Sequence, residues 1–388
     1  MNMLAKRARD IEPSSTLAIT ARAKKMRKDG LDVVNFAAGE PDFDTPQYIK
    51  EAAISSIEEG FTKYTPSSGI GELKAAIQKK LKSDNNLDYE LEQIVVSCGA
   101  KHSLFNIIQV LVDKGEEVII PSPYWVSYLE MVKFAQGKPV IIKAEKKDSF
   151  KLSALALSKN ITKKSKLLIL NSPSNPAGYI YTKKELEALA EVCVKNKLFV
   201  ISDEIYEKLI YGNNRHVSIA SLNKDIYRLT FVVNGVSKAY SMTGWRIGYL
   251  AGDKEIVEAT ARLQDHSTSC PSSISQKAAL AALSSGDEFI DKMRLEFESR
   301  RNLMLAGLDK LGLEYIKPEG AFYVFVDISK TKMPSWDFCN KFLEEKYVAA
   351  IPGGAFGNDN YVRFSFATSP EQIEKGIQRL REFLSSPR

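Results

Sequence analysis

The sequence predicts an α/β protein, with a mainly parallel sheet covered by helices on both faces and a smaller α+β unit after it. Three observations carry this. Apolar runs of strand length alternate with amphipathic stretches through most of the chain. The alternation breaks after Gly286, where a long charged amphipathic stretch begins. At 388 residues, the chain can also bury two cores rather than one.

In chain order, the candidate strands are 94–96, 117–120, 139–142, 167–170, 198–201 and 231–233. Each is a short continuous apolar run, the pattern of a strand buried on both faces. The intervening helices include 101–112 and 183–195, and Thr182 with Glu185 gives the second a capping box. Beyond Gly286 come a helix over about 287–311, a strand over 321–326 and a helix around 336–345. A Gly353-Gly354 loop, a strand over 361–366 and a helix from about Pro370 complete the chain. We expect a large unit over 46–286 and a second built from 1–45 and 287–388.

Composition excludes several classes. The chain has 54 Lys+Arg against 48 Asp+Glu, a formal +6, well mixed along its length. A nucleic-acid binder would concentrate its basic residues on one face, and 24–28 and 163–166 read as ordinary surface. The four cysteines form no C-x-x-C pair, and the three histidines are scattered, so no metal site or disulfide framework is implied. Residues 1–9 lack the apolar core of a signal peptide, and no run is long enough to span a membrane. A reducing, cytoplasmic setting is the expectation.

The chemistry gathers where strands end. The run 167–170 leads into Asn171-Ser172-Pro173-Ser174-Asn175-Pro176, 198–201 into Asp203 and Tyr206, and 231–233 into Lys238. These groups recur about thirty residues apart, one strand-helix unit, so a parallel sheet would bring them to one edge. Alone, Asn175-Pro176 is a turn signal and Asp203 fits a helix N-cap. Lys238 offers an amine for an imine, and Arg246, eight residues on, offers a permanent cation for phosphate. Ser97-Cys98-Gly99-Ala100-Lys101 joins a strand to a helix start, whose free N–H groups suit an anion. Trp125, in Pro123-Tyr124-Trp125, could stack on a flat ring.

At this point the chain resembles a known family. Ser237-Lys238, with Thr243-Gly244-Trp245-Arg246-Ile247-Gly248, looks like the cofactor-lysine signature of class I aminotransferases. Supporting motifs follow in order: Ala38-Gly39-Glu40-Pro41-Asp42, Lys63-Tyr64-Thr65, Pro123-Tyr124-Trp125, Asn175-Pro176, Asp203-Glu204-Ile205-Tyr206, Gly320-Ala321-Phe322-Tyr323 and Tyr361-Val362-Arg363-Phe364. The branch it resembles is the compact bacterial aspartate aminotransferases. The resemblance implies the aspartate-aminotransferase-like fold, with seven strands in the large sheet, and pyridoxal 5′-phosphate as cofactor.

It also implies roles. Lys238 would hold the cofactor as a Schiff base and then move the substrate proton. Asp203 would pair with the pyridine nitrogen, Asn175 and Tyr206 would bond the ring oxygen, and Trp125 would stack on the ring. Arg246, Ser237, Gly99, Ala100 and Lys101 would form the phosphate shell, with Tyr64 supplied by a neighbouring subunit in a homodimer with shared sites. Gly235 stands where another branch has a phosphate-binding Ser. Arg363 and Gly39 would bind the substrate α-carboxylate, alongside Trp125 and Asn175.

Lys101 would meet the second carboxylate of a dicarboxylic substrate, and Thr16 lies in a segment that would close over it. The implied reaction is L-aspartate + 2-oxoglutarate = oxaloacetate + L-glutamate, between small amino acids and keto acids. Prephenate and aromatic or neutral amino acids are the alternatives. Relatives that use prephenate tend to carry a basic residue where this chain has Glu12. A carbon–sulfur lyase would share the cofactor shell. A metabolite-sensing regulator would need a DNA-binding module, for which the stretch before Ala38 is short.

Overall fold

The computed structural model describes residues 3–5, 9, 11 and 15–386. Glu12, Pro13 and Ser14, which bear on the prephenate reading and the closing segment, lie outside the described residues.

The strands are β1 (Val34–Asn35), β2 (Ile94–Ser97), β3 (Glu117–Ser122), β4 (Lys138–Lys143), β5 (Ser165–Asn171), β6 (Phe199–Asp203) and β7 (Thr230–Gly235). They continue with β8 (Gly248–Ala251), β9 (Tyr315–Ile316), β10 (Tyr323–Asp327), β11 (Val348–Ala349), β12 (Ile351–Pro352) and β13 (Tyr361–Ser365). A seven-stranded sheet runs in the order β2-β8-β7-β6-β5-β3-β4. All its neighbours pair in parallel except around β8, which is antiparallel to both β2 and β7.

Alternation along each strand feeds two cores. Leu167 and Ile169 join Ile201 and Val233 on one face, under Leu104, Ile107, Ile108 and Leu111 of the helix Ala100–Leu111. Leu168 and Leu170 point the other way, toward Leu186, Leu189, Ala190 and Cys193 of the helix Lys183–Lys195. That helix starts as expected: Thr182 Oγ1 accepts from the Glu185 N–H at 3.3 Å, and Glu185 Oε2 accepts from the Thr182 N–H at 2.7 Å.

The four-stranded antiparallel sheet, β12-β13-β10-β9, packs on Met293, Phe297, Met304 and Leu308 of the helix Glu288–Lys310. Its strand β10 starts at Tyr323, two residues later than the apolar run suggests, because Ala321 takes a left-handed φ of 58° that cannot continue a strand. The amino-terminal strand β1 pairs in parallel with β11, and Phe36 accepts a 2.8 Å bond from the Ser365 N–H. Among the described residues, no helix is long and apolar enough to cross a membrane.

Register places the chemistry. Asn171 faces Asp203 across β5 and β6, and Asp203 faces Val233 across β6 and β7. The strands β5 and β6 therefore finish level, and β7 runs two residues further at the same edge.

Candidate active site

A cleft of about 430 Å³ opens at this edge. Lys238, Asp203, Asn175, Tyr206, Ser237, Trp125, Ala100, Lys101, Arg246, Arg363, Gly39 and Thr16 all line it. Residues from 16 to 363 thus meet at one place, brought together by the parallel register and the returning β13.

Lys238 sits half-buried on the loop after β7, and its Nζ donates to the Gly39 carbonyl at 2.7 Å. Burial is the largest influence on it. With Arg246 and Arg363 nearby, it pulls the amine down to about 8, against the opposing pull of Glu40 and Asp203. A useful share of neutral amine therefore exists near neutral pH.

Asp203 ends β6 and is buried. Its Oδ2 accepts from the Tyr128 hydroxyl at 2.6 Å and its Oδ1 from the Ile205 N–H at 3.3 Å. Burial nevertheless pushes it up to about 6.

The end expected to receive an anion is built on backbone. Gly99 caps the helix at Ala100 with φ +89°, and a Cβ there would strike the Arg246 guanidinium. Only glycine combines that conformation with that approach. Arg246 itself takes a left-handed φ of 56°, a costly conformation that aims its fork at the Thr243 carbonyl (2.8 Å) and the Cys98 carbonyl (3.3 Å). Gly235 is equally constrained: a Cβ would lie 2.8 Å from the Ile247 carbonyl oxygen, so the serine of another branch could not stand here without moving β8.

Arg363, on β13, is buried. It donates to Asn175 Oδ1 at 3.0 Å and to the Ala37 carbonyl at 3.2 Å, with its guanidinium 4.2 Å from the Tyr323 ring centroid. Its Nε is buried without a partner, an arrangement that costs free energy unless an anion meets it. Tyr206 shares a 2.9 Å hydrogen bond with the Tyr323 hydroxyl. At the mouth, the exposed Lys101 holds its ammonium 4.9 Å from the Trp125 ring centroid. Partial desolvation, followed by the Arg246 charge, lowers its pKa.

One expected residue stands differently: Gly99 does not line the cleft but backs Arg246. Tyr64, expected to serve a neighbouring subunit, is 92% exposed and does not line this chain's own cleft. Gly39 is present, but it is its carbonyl that engages, with Lys238. Sequence reasoning gave no role of their own to Tyr128, Tyr323, Glu40 and Lys24, all of which line the cleft. Tyr128 had a usable signal, since it follows Trp125 by three residues and a helical turn puts both on one face.

The donor set suits pyridoxal 5′-phosphate. A depressed amine, a buried carboxylate and an indole lie together, with a cationic, backbone-lined anion pocket beside them.

Fold and cleft define an α/β protein, with three sheets among its described residues and a lysine-centred site at the strand ends of the largest. The family described as Aminotransferase class I and II matches residues 31–380. The chain is 48% identical to the aspartate aminotransferase of Bacillus subtilis (strain 168), covering 98% of each. It is also 48% identical to that of Geobacillus stearothermophilus, covering 99% of each. The solved aspartate aminotransferase from Thermus thermophilus with maleate superposes with a TM-score of 0.96 at 41% identity, covering 98% of this chain and all of that one. The chain belongs to the class I and II aminotransferases, a family of pyridoxal-phosphate enzymes.

Proposed function

We propose that this aminotransferase moves the amino group of L-aspartate to 2-oxoglutarate, with Lys238 as its catalytic residue. The observation that carries the substrate is the pair of cations from separate elements: the buried Arg363 with its open Nε, and Lys101 at the mouth. One carboxylate belongs to each. The maleate in the Thermus thermophilus structure, itself a dicarboxylate, supports this reading.

Pyridoxal phosphate, when bound, supplies an electron sink for the α-carbon. Everything else falls to the chain. The forked Arg363 takes the α-carboxylate and fixes the α-carbon in place. Lys238, held by Gly39, accepts and returns the α-proton at Nζ. Asp203 would pair with the cofactor's pyridine nitrogen and keep it protonated, and Arg246 with the backbone at Gly99 and Ala100 would hold the phosphate. Thr16, on the helix Ser15–Lys28, bounds the substrate side and excludes water.

The exposed Tyr64 supports a homodimer in which this side chain completes the neighbour's site. The proposal includes the division into 46–286 and 1–45 with 287–388, and a cytoplasmic setting consistent with four free cysteines.

A panel of amino donors with 2-oxoglutarate tests the reading, and aspartate should be among the fastest. Replacing Lys101 by Ala should raise KM for aspartate about tenfold or more while leaving an apolar donor within about twofold. Equal changes for both donors would contradict the assignment of Lys101.

A further inference from the structure

Tyr128 lies in the first turn of the helix Ser127–Phe134, three residues beyond Trp125. Its ring is buried, and its hydroxyl gives Asp203 the 2.6 Å hydrogen bond already described. The same ring meets Trp125 edge-on, with centroids 5.3 Å apart and planes at 83°. One side chain therefore touches both the carboxylate and the indole that flank the cofactor ring in the reading above. The second Asp203 contact, from the Ile205 N–H, is longer at 3.3 Å.

We propose that Tyr128 is a positioning residue for transamination: its hydroxyl keeps Asp203 ionised and aimed at the cofactor nitrogen, and its ring edge sets the tilt of Trp125. This rests on the cofactor roles given under Proposed function. Burial disfavours a carboxylate, and an O–H···O⁻ bond to the charged form offsets that cost. The groups facing Asp203 are few. Tyr128 comes from the helix after β3, Glu204 adjoins Asp203 on its own strand end, and Lys238 comes from the loop after β7. Tyr206 stands one turn further along. Glu204 raises the Asp203 pKa and Lys238 lowers it; of the two neutral donors that favour the charged form, Tyr128 makes the shorter bond and the Ile205 N–H the longer.

The sign of the effect is fixed by this geometry. Removing the hydroxyl leaves the ring in place and takes away a donor to the charged carboxylate. Asp203 then protonates at higher pH, and the acidic limb of activity moves up with it.

The test uses the holoenzyme with Tyr128→Phe. The dissociation constant for pyridoxal phosphate should rise about tenfold, and the acidic limb of kcat/KM should move up by about one pH unit. Tyr181→Phe is the control, because that buried hydroxyl accepts from the Leu152 N–H at 2.8 Å outside the cleft and should move neither quantity. A ring-fluorinated tyrosine at position 128, a stronger donor of nearly the same size, should shift the limb down, and it serves if the Phe variant does not fold. Borohydride labelling separates the two levels of the argument. A label on Lys238 with an unmoved limb and unchanged cofactor affinity overturns the role of Tyr128 alone. Failure to label Lys238 in the unaltered enzyme overturns the cofactor reading beneath it.

Discussion

Asp203, the last residue of β6, and Glu207, four residues on, are both buried, yet the protein treats them in opposite ways. Glu207 faces the Lys80 ammonium, accepts from Asn85 at 2.7 Å and from Asn234 at 2.8 Å, and has His216 within 4.0 Å. Burial would raise it, but Lys80 and then His216 overcome that and hold it at about 2. Its neighbour Glu204 accepts from Ser202, Ser218 and His216 at 2.7, 2.6 and 2.9 Å. Burial works against a charged His216, but the two glutamates outweigh it and raise its pKa. Two acids thus meet the Lys80 ammonium and a histidine whose pKa they raise, within one cluster.

Asp203 receives a phenol and an amide but no cation in contact, and burial carries it up to about 6. The contrast separates scaffold from site. A structural ion cluster spends its charges internally, whereas a functional carboxylate is buried with its charge left for a ligand. The ion cluster also serves the site, because Glu207 accepts from Asn234 near the end of β7, four residues before Lys238.

The sharpest way to break this comparison is to neutralise each acid in turn. Asp203→Asn should cost transamination about 10²–10³-fold, since on the proposed reading it removes a buried charge pair with the cofactor. Its folded pKa is raised above the unfolded value of 3.8, so its ionisation weakens the fold as pH rises through that interval. Thermal melting of the apoprotein should therefore hold or rise in this variant. Glu207→Gln should do the reverse, losing about 3–5 kcal/mol of stability while kcat per folded enzyme stays within about threefold. Denaturation and steady-state kinetics on both variants decide the matter, and a shared profile would erase the distinction.

A smaller effect lies in acid. The Glu207 pKa is depressed from 4.5 to about 2, so its contribution is complete above about 4.5 and lost as pH falls toward 2. Urea titrations across that window should show the gap between the parent and Glu207→Gln narrowing as pH drops. A constant gap would mean that Glu207 is not stabilised by ionisation.

Much of this was legible in the residues. Continuous apolar runs named six of the seven large-sheet strands, and their thirty-residue spacing brought Asn171, Asp203 and Lys238 to one edge. The missing strand, β8, has four residues and begins on the last glycine of the motif that carries Arg246, so its strand character was masked. Its antiparallel direction follows from a short return after Trp245, too short for a crossover helix.

Side-chain direction was harder to read than position. Gly39 was expected near a substrate carboxylate, but a carbonyl and an N–H point opposite ways and only coordinates show which faces Lys238. Tyr128 reads as a core aromatic until its hydroxyl is placed on Asp203. The Glu204–Glu207–His216–Lys80 cluster joins four residues from three separate stretches, and no local pattern connects them.

The account stands on the amine of Lys238, and one measurement reaches it most directly. Reduce the purified holoenzyme with borohydride, digest it and map the pyridoxyl mass by tandem mass spectrometry. The label should fall on Lys238, in the peptide that continues into Ala239-Tyr240-Ser241, and should be absent from Lys238→Ala. A label on Lys101 or Lys24, or a fully labelled Lys238→Ala enzyme, would contradict it.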